Sequence, residues 1–512
     1  MCLRTVSLIG VSGIVCMVFA GCASVDPCHD YERTSRMVAE RTGIDEVYEP
    51  GIEPLIGEKI SSLLADGLTI DEAVQVAMLN KPGFQALFAA IGASRADVVQ
   101  STLLTNPTFS LSARLPEGGG RSNLSYGLGQ ELVDLWQIPV RKRVAEAELE
   151  QTVLEVVRQG VALAAEARSR YHRLAALEQA IEIGTENLHL AEQSLALAES
   201  RLKAGETGQL DVNLLKANVL AVQISLIELK RDRDVARAAL SRTLGLARSA
   251  SPWTLSPSAE PLPSSLPSEQ ALIVHAMRER PDARIAAERV RAAEEEARRQ
   301  CLNVFQHVEI GVDGERPERR ALPGRKVLAD TARASLRNGA LTAPDIETRA
   351  ERNLERRQII DSLLGPSVAI TLPIWDQNQA QIAKASYKAQ QSRKEYEDLL
   401  DDVARQVQEA QAIAEAAAEL SRFFEEQALP QAEANLGLAR KSYEAGEQGI
   451  VILIEAQESL IAQRLAAVSI DRDYRIAVVE LELAVGGRLP AADAIESTSP
   501  QPTATQPIAV SE

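Results

Sequence analysis

Two nearly identical pentapeptides, AGETG at Ala204–Gly208 and AGEQG at Ala445–Gly449, interrupt two long Ala/Leu/Glu-rich segments of this 512-residue chain. They begin 241 residues apart, and other features come into step when they are aligned. LTIDEAVQVAMLNKP at Leu68–Pro82 matches LPSEQALIVHAMRERP at Leu266–Pro281, and each predicts a short amphipathic helix that ends before a proline. The LGL after the first long segment also aligns with the VGG after the second. Because order and spacing both agree, the sequence predicts an internal duplication.

The long segments themselves predict helices with an apolar stripe. Between Val144 and Lys203 the apolar residues recur in steps of three and four, which is typical of an amphipathic helix. They are Leu149, Val153, Val157, Val161, Ala164, Ala167, Tyr171, Leu174, Leu177 and Ile181. Roughly 60 residues make a helix of about 90 Å, and its counterpart is predicted from about Gln379 to Tyr443. Such stripes must be buried by side-by-side packing, as in coiled coils, and Pro430 predicts a kink in the second helix.

Each half also contains a predicted pair of strands before its long helix. The first pair is Asn106–Pro116 and Ser122–Asp134, and the second is Leu302–Glu315 and Pro366–Trp375. Apolar and polar residues alternate in the first pair, which predicts one apolar and one polar face. Strands of about 9–11 residues are long enough to cross a bilayer when tilted. The pattern alone leaves open a soluble hairpin beside a helical bundle.

The N-terminus predicts export of the chain. Arg4 precedes a short apolar run that ends in Phe19-Ala20-Gly21-Cys22, as expected of a secretory signal. The small residues before Cys22 resemble a bacterial lipoprotein signal, in which this cysteine becomes lipidated, and Ala23 after it favours the outer membrane. The alternative is an ordinary signal peptide that leaves Cys22 unmodified.

These features divide the chain into six predicted parts. They are a signal peptide (1–21), a lipidated tether (22–67), a first repeat (68–246), a Pro/Ser-rich linker (247–265), a second repeat (266–490) and a disordered tail (491–512).

Several classes of function are excluded by composition. A formal net charge of −17 argues against a nucleic-acid partner. No segment after residue 30 has 18 consecutive apolar residues, so no internal membrane helix is expected. Cys28 and Cys301 are too few and too far apart in sequence to suggest a disulfide framework. The five histidines show no metal-ligand spacing, and no nucleophile–base pair is evident, so we expect neither a cofactor nor an enzyme.

Taken together, these motifs resemble the TolC family of outer-membrane efflux ducts, in particular its CzcC-like and NodT-like lipoprotein branch. The resemblance covers about residues 68–490 and includes LPIWDQNQAQIAKA at Leu372–Ala385 and IEAQESLIAQR at Ile454–Arg464. It implies a mainly α, duplicated fold with a small membrane β-barrel part. Since four strands cannot close a barrel, the chain must oligomerise. The resemblance implies a trimer with twelve strands and a helical tunnel in the periplasm.

The resemblance also implies roles for residues around the two pentapeptides, which we call the helix tips. There the chain would turn and dock a periplasmic adaptor protein, or it would only turn. The docking residues would be Gly205, Glu206, Gly208, Gly446, Glu447 and Gly449. Asp211, Tyr443 and Glu455 match a periplasmic gate, although they could be ordinary helix-surface residues. Ile452 and Gln448 replace an acid and an arginine expected of the full gate network.

The implied function is a passive exit duct for an inner-membrane pump of the resistance-nodulation-division type and its adaptor. The cargo would be metal cations or drugs. The alternative is a periplasmic coiled-coil lipoprotein that bridges envelope layers without a pore. An insert at about 316–365 is basic, with 11 Arg/Lys against 6 Asp/Glu between Arg316 and Ile360. It is expected to be an external loop that contacts anionic lipid, or a solvated loop without a specific role.

Overall fold

A computed structural model describes residues 23–115, 120–205, 207–248, 253–256, 266–317, 319–320, 336–339, 362–445 and 447–489. Cys22, Glu206, Gly446, most of the basic insert and the tail lie outside the described residues. The chain forms two compact units. The helical unit comprises Met1–Val98, Glu146–Arg291 and Gln390–Glu512, and the strand unit comprises Val99–Ala145 and Ala292–Ala389.

Helices make up most of the described chain. In the first half they are α1 (Cys28–Thr42), α2 (Glu53–Leu63), α3 (Ile70–Asn80), α4 (Pro82–Ser101), α5 (Asp134–Ala204) and α6 (Gln209–Thr243). In the second half they are α7 (Glu269–Glu279), α8 (Pro281–Leu302), α9 (Gln379–Phe423), α10 (Leu429–Glu444) and α11 (Ile450–Val485). The fold is therefore mainly α and built twice, as the sequence predicts.

The duplication is visible in the geometry where each half ends. Gly245 and Gly486 both follow the last helix of their half with positive φ angles, 72° and 95°. A side chain on Gly245 would lie 2.7 Å from the carbonyl oxygen of Asn80, and one on Gly486 would lie 3.0 Å from the Cα of Arg280. Asn80 is the last residue of α3, and Arg280 directly follows the last residue of α7. The same glycine turn therefore packs on the same short helix in both halves.

The first long helix, α5, begins ten residues before the predicted Val144. Asp134, predicted as the end of a strand, is its first residue, and its carboxylate accepts a hydrogen bond of 2.6 Å from the backbone N–H of Thr105. Arg141 pairs with the same carboxylate at 2.8 Å. A negative charge at a helix N-terminus is favourable, so the helix extends back to this acid.

The apolar stripe of α5 is buried as predicted over most of its length. Leu149, Val153 and Tyr171 are examples of its buried positions, while Leu177 and Ile181 are only partly buried. A corresponding core in the second half joins Leu272 of α7, Val403 of α9 and Leu481 of α11.

The second long helix is not continuous. A π-helix at Phe424–Ala428 separates α9 from α10. Pro430 lies in the first turn of α10, where its missing backbone N–H removes one hydrogen bond to the preceding turn. The irregularity predicted from Pro430 therefore takes the form of a π-helix just before it.

The strand unit contains a four-stranded antiparallel sheet in the order β1-β3-β4-β6. Its strands are β1 (Thr108–Arg114), β3 (Asn123–Glu131), β4 (Val308–Arg316) and β6 (Leu363–Ile370). A separate short pair joins β2 (Gly120–Arg121) to β5 (Arg319–Arg320). The predicted strands are close to these, but β4 starts after residue 302 because α8 continues to Leu302, and β6 ends before LPIW.

The corner between β6 and α9 has an unusual backbone. Asn378 has a φ of 63° and is buried. Its side-chain amide donates a 2.7 Å hydrogen bond to the carbonyl of Gln300, and its own carbonyl accepts from the N–H of Ile382. Asparagine tolerates this left-handed conformation better than most residues, so the corner is held by one side chain and starts the helix.

The segment predicted as a tether contains two helices that pack on the helical unit. Asp30 is almost fully buried, and Arg95 donates two hydrogen bonds of 2.6 Å to its carboxylate. Tyr48 packs edge-on against Phe88, with ring centres 5.4 Å apart. The predicted linker also contacts the first repeat, because Leu255 pairs with Leu68 as an isolated parallel bridge.

One helix among the described residues, α6, is long and apolar enough to cross a membrane by length and composition alone. The sequence pattern did not indicate it. Val212, Leu215 and Leu240 of this helix are buried in the helical unit, but only 22% of its apolar window is buried in the protomer.

Candidate functional site

The first helix tip is a tight turn between α5 and α6. Gly205 has a φ of 78° and donates its N–H to the carbonyl of Leu202 at 3.0 Å. This is a left-handed conformation, which glycine adopts without the strain of a side chain. Gly208 is extended and precedes the first residue of α6.

Asp211 closes this turn from the third residue of α6. Its Oδ2 accepts a 2.6 Å hydrogen bond from the hydroxyl of Thr207 and a 3.4 Å bond from the backbone N–H of Gly208. These are the contacts of a helix N-cap, which satisfy donors that the helix leaves unpaired. Asp211, predicted as a gate residue, therefore has a local structural role at its tip.

The second helix tip resembles the first in the residue before its following helix, but it lacks an acid equivalent to Asp211. Glu447 donates its N–H to the carbonyl of Ser442 at 3.0 Å, and Gly449 precedes α11 in the conformation of Gly208. Ile452 stands where the 241-residue offset places the equivalent of Asp211, and it is 40% exposed. Among the described residues of the two tips, a capping carboxylate is seen at the first tip.

A small apolar core joins the two tips. Ala198 of α5, Val212 and Leu215 of α6, and Ile450 and Leu453 of α11 form its buried part. Tyr443 of α10 packs against this core from the edge. Four helix ends, two from each half, are thus held together by side-chain packing.

Tyr443 has a second contact that the sequence did not indicate. The guanidinium carbon of Arg201 lies 4.8 Å from the centre of the Tyr443 ring, within the range of a cation–π interaction. In the part of the chain that the structure describes, no hydrogen bond joins Tyr443 to Asp211. Glu455 is exposed on α11. The structure thus brings Tyr443 to the tip core and leaves Asp211 in its own cap.

Further from the tips, Arg464 makes one ion pair between the halves and one within the second half. Arg464 of α11 contacts Glu186 of α5 at 3.3 Å and Glu433 of α10 at 3.7 Å. Arg464 is the last residue of IEAQESLIAQR, and nothing in that motif indicated its partners. Exposed ion pairs such as these contribute little stability individually.

The sheet in the strand unit has two chemically different faces. Its register places Leu111, Tyr126 and Val312 on one apolar face, with Ser112, Ser125 and Glu315 on the other. Acidic residues are concentrated on the polar face and lie at Glu131, Glu309, Asp313 and Glu315. Gly127 and Gly129 face two of them, and a side chain there would overlap with the carboxylates of Asp313 and Glu309.

His307 lies at the end of this polar face. Its Nδ1 is 2.5 Å from a carboxylate oxygen of Glu131, and its Nε2 is 3.4 Å from one of Glu309. Within the described residues no group of His, Cys, Asp and Glu side chains has the arrangement of a metal site. Among the described residues, the polar face is therefore an acidic surface without an evident metal centre.

A cavity of about 460 Å³ lies in the helical unit beside Tyr171 and His172. Burial, and then the positive charge of Arg475, lowers the pKa of His172 to about 4. Burial raises the pKa of Tyr171 to about 12, and its hydroxyl donates a 2.6 Å hydrogen bond to the carbonyl of Ser256. Both side chains are thus neutral near pH 7.

The helical unit has paired long helices joined at their tips, and the strand unit has a sheet that is apolar on one face and polar on the other. The family model described as outer membrane efflux protein matches residues 73–246 and 319–487. The chain belongs to this family, and the resemblance to TolC-type ducts is confirmed.

Solved structures show the same fold. CusC, described as undergoing transmembrane channel formation, is 18% identical with a TM-score of 0.63, over 82% of this chain and 92% of that one. The outer-membrane channel OprN is 18% identical with a TM-score of 0.61, over 88% and 95%. The MtrE outer membrane channel of Neisseria gonorrhoeae is 18% identical with a TM-score of 0.59, over 82% and 89%. A search of the curated proteins finds no match.

Family membership establishes the general activity. The chain is an outer-membrane efflux channel component of tripartite systems, and proteins of this family are transport ducts rather than enzymes. Channels of this family form trimers and work with an adaptor and an inner-membrane pump. The CzcC-like and NodT-like branch stays a prediction.

Proposed function

We propose that three copies of this chain form a passive, lipid-anchored exit duct that carries metal cations or drugs from a resistance-nodulation-division pump. The observation that carries this proposal is the four-stranded sheet. Among the described strands, β1 and β6 pair on one side only. Unpaired strand edges are not tolerated in a bilayer, so neighbouring copies must supply the missing partners, and three copies give twelve strands.

The apolar face of the sheet supports contact with lipid. Phe109, Leu111 and Val368 are each more than 60% exposed in the protomer. Exposed apolar side chains in such number are costly in water, whereas hydrocarbon tails would cover them. The polar face with its four acids would then line the pore.

An exposed stripe on α6 supports the trimer. Leu220, Ile224 and Ile227 lie on one face of the helix and are at least 60% exposed. A second copy of the chain would bury this stripe, because the spacing matches a helix packing seam.

The helix tips are proposed as the surface that meets the adaptor. The docking residues proposed are Gly205, Glu206, Gly208, Gly446, Glu447 and Gly449, of which Glu206 and Gly446 lie outside the described residues. Leu210 and Val451 are equivalent under the 241-residue offset, and both are exposed beside these turns. The same surface chemistry is therefore presented by each half, which suits an adaptor that contacts both halves alike.

The gate is proposed at Tyr443 and Glu455, with Asp211 shaping the first tip. Three copies of the exposed Glu455 would place a ring of carboxylates at the aperture. Such a ring favours cations and opposes anions. Lipidation at Cys22 would hold the trimer in the outer membrane, with the helical unit projecting into the periplasm.

The test is a deletion strain complemented with the full-length gene. Minimum inhibitory concentrations for a panel of metal salts and a panel of drugs should fall in the deletion strain and recover on complementation. A change confined to metals would support the metal assignment, and a change confined to drugs would replace it. Unchanged sensitivity to both panels, with no conductance of purified protein in planar bilayers, would contradict the duct.

A further inference from the structure

We propose that the cation–π contact between Arg201 and Tyr443 is the latch that holds the two helix tips of each protomer closed. This inference rests on the proposed function, because a latch matters only where the tips border a pore. The Tyr443 ring and the Arg201 guanidinium would close the tips, rather than a hydrogen bond between Tyr443 and Asp211.

First, the carboxylate of Asp211 already accepts hydrogen bonds within its own turn. Both donors that contact its carboxylate, the Thr207 hydroxyl and the Gly208 N–H, belong to its own turn. Moving the carboxylate to another helix would leave these donors unpaired at the start of α6, which costs about 1 kcal/mol for a helix cap. Asp211 therefore stabilises one tip and does not connect the two.

The second step is that Arg201 and Tyr443 belong to different halves. Arg201 lies in the last turn of α5, and Tyr443 lies in the last turn of α10. Arg201 is partly buried and has no carboxylate partner among the described ion pairs, whereas the centre of the Tyr443 ring lies 4.8 Å from its guanidinium carbon. A cation over an aromatic face is attracted most strongly when the pair is partly desolvated, as it is beside the tip core.

Third, the long helix of the first half is continuous, whereas its equivalent in the second half, α9 followed by α10, is interrupted. In the first half, α5 runs without interruption to Ala204. In the second half, the π-helix at Phe424–Ala428 and Pro430 interrupt the equivalent arm, and helices bend at such points. The tip end of α10 can therefore bend at this point when its contacts to α5 are released.

Among the described residues, the contacts between the two halves near the tips include the small apolar core, the Arg464–Glu186 ion pair and the Arg201–Tyr443 contact. The apolar core is not directional, and exposed ion pairs are screened by salt. The cation–π contact is the directional one, and a guanidinium stays protonated at all physiological pH values. Closure by this latch should therefore not depend on pH, unlike closure by carboxylates.

The test measures the conductance of purified full-length trimers in planar bilayers. Tyr443→Phe keeps the ring and loses the hydroxyl, whereas Tyr443→Leu keeps the apolar volume and loses the ring. Arg201→Lys keeps the cation and Arg201→Gln removes it. We expect Tyr443→Leu and Arg201→Gln to raise the open probability by about tenfold, with Tyr443→Phe and Arg201→Lys close to wild type.

The same variants are tested in cells with a large antibiotic that the intact outer membrane excludes. The two opening variants should increase sensitivity, and trimer content on gels should be unchanged. If Tyr443→Phe opens the channel as much as Tyr443→Leu, a hydroxyl bond closes the tips and the latch is wrong. It is also wrong if Arg201→Gln stays closed.

These outcomes are separable from failure of the proposed function. A wild-type gene that restores resistance in the deletion strain, with Arg201 and Tyr443 variants that conduct like wild type, contradicts only the latch. A wild-type protein that neither conducts nor restores resistance contradicts the duct itself.

Discussion

The guanidinium carbon of Arg201 lies 4.8 Å from the centre of the Tyr443 ring and joins the two halves of the duplicated fold at their tips. The duplication itself does not produce this contact. Under the 241-residue offset, Arg201 corresponds to Ser442 and Tyr443 corresponds to Leu202. The pair therefore arose where the two halves diverged, and it makes the tips asymmetric.

The glycine that ends the first half should not tolerate a side chain. Gly245→Ala places a Cβ 2.7 Å from the carbonyl oxygen of Asn80 at a φ of 72°, and we expect a loss of at least about 1 kcal/mol. Gly437→Ala is the control, because Gly437 lies inside α10 with open space around it, and alanine there should stabilise by about 0.5–1 kcal/mol. Thermal unfolding of both variants measures this difference, and equal melting points would contradict it.

The buried ion pair of the N-terminal segment should be essential to its docking. Asp30→Ala leaves Arg95 without the carboxylate that accepts two of its hydrogen bonds. A loss of about 3 kcal/mol is expected for breaking a buried pair. The helix α1 should then become accessible to protease, which limited digestion and mass spectrometry would detect.

The matched control for that prediction is an exposed pair. Lys394→Ala removes the contact to Glu397, where both side chains are at least 60% exposed, so the effect should be under about 0.5 kcal/mol. If both variants resist digestion like wild type, the segment is not held by Asp30.

The capping acid should determine which tip is more stable. Asp211→Ala removes the acceptor for Thr207 and Gly208, and a local loss of about 1 kcal/mol is expected. Ile452→Asp introduces the equivalent acid at the second tip and should slow hydrogen exchange of the Gly449 amide. Exchange measured by mass spectrometry tests both, and an unchanged first tip in Asp211→Ala would argue against the cap.

Stability should fall on acidification partly because of His172. Its pKa is about 4 in the folded protein and 6.5 when unperturbed, so the unfolded chain takes up the proton first. The stability that depends on neutral His172 is therefore complete above about pH 6.5 and is lost as the pH falls toward 4. On acidification to about pH 4.5, the free energy of unfolding of His172→Gln should fall by about 2 kcal/mol less than that of wild type. Melting points of wild type and variant at about pH 7.5 and about pH 4.5 measure it, and parallel shifts would contradict the assignment.

The two faces of β1 should respond differently to a charge. Leu111→Lys places a cation on the apolar face, where a lysine at the bilayer midplane costs about 2–4 kcal/mol. Ser112→Lys places the same charge on the polar face and should be tolerated. Recovery of trimers from the outer-membrane fraction distinguishes them. Equal recovery would mean that the apolar face does not contact lipid.

The sequence by itself determined the features that repeat locally. The steps of three and four in α5, the alternation in β1 and β3, and the helix break at Ala204–Gly208 each depend on residues close together in the chain. A helix stripe or a left-handed turn is encoded by its own residues, so the duplicated, mainly α fold could be predicted. The family resemblance then supplied the trimer and the partners.

Tertiary structure decided the contacts between segments distant in sequence. The carboxylate of Asp211, predicted as a gate residue, accepts hydrogen bonds in the turn of its own tip, and the predicted tether contains helices anchored by Asp30. Arg201 carried no signal, because its partner is 242 residues away. Such pairs depend on how helix faces are rotated against one another, which local periodicity does not specify.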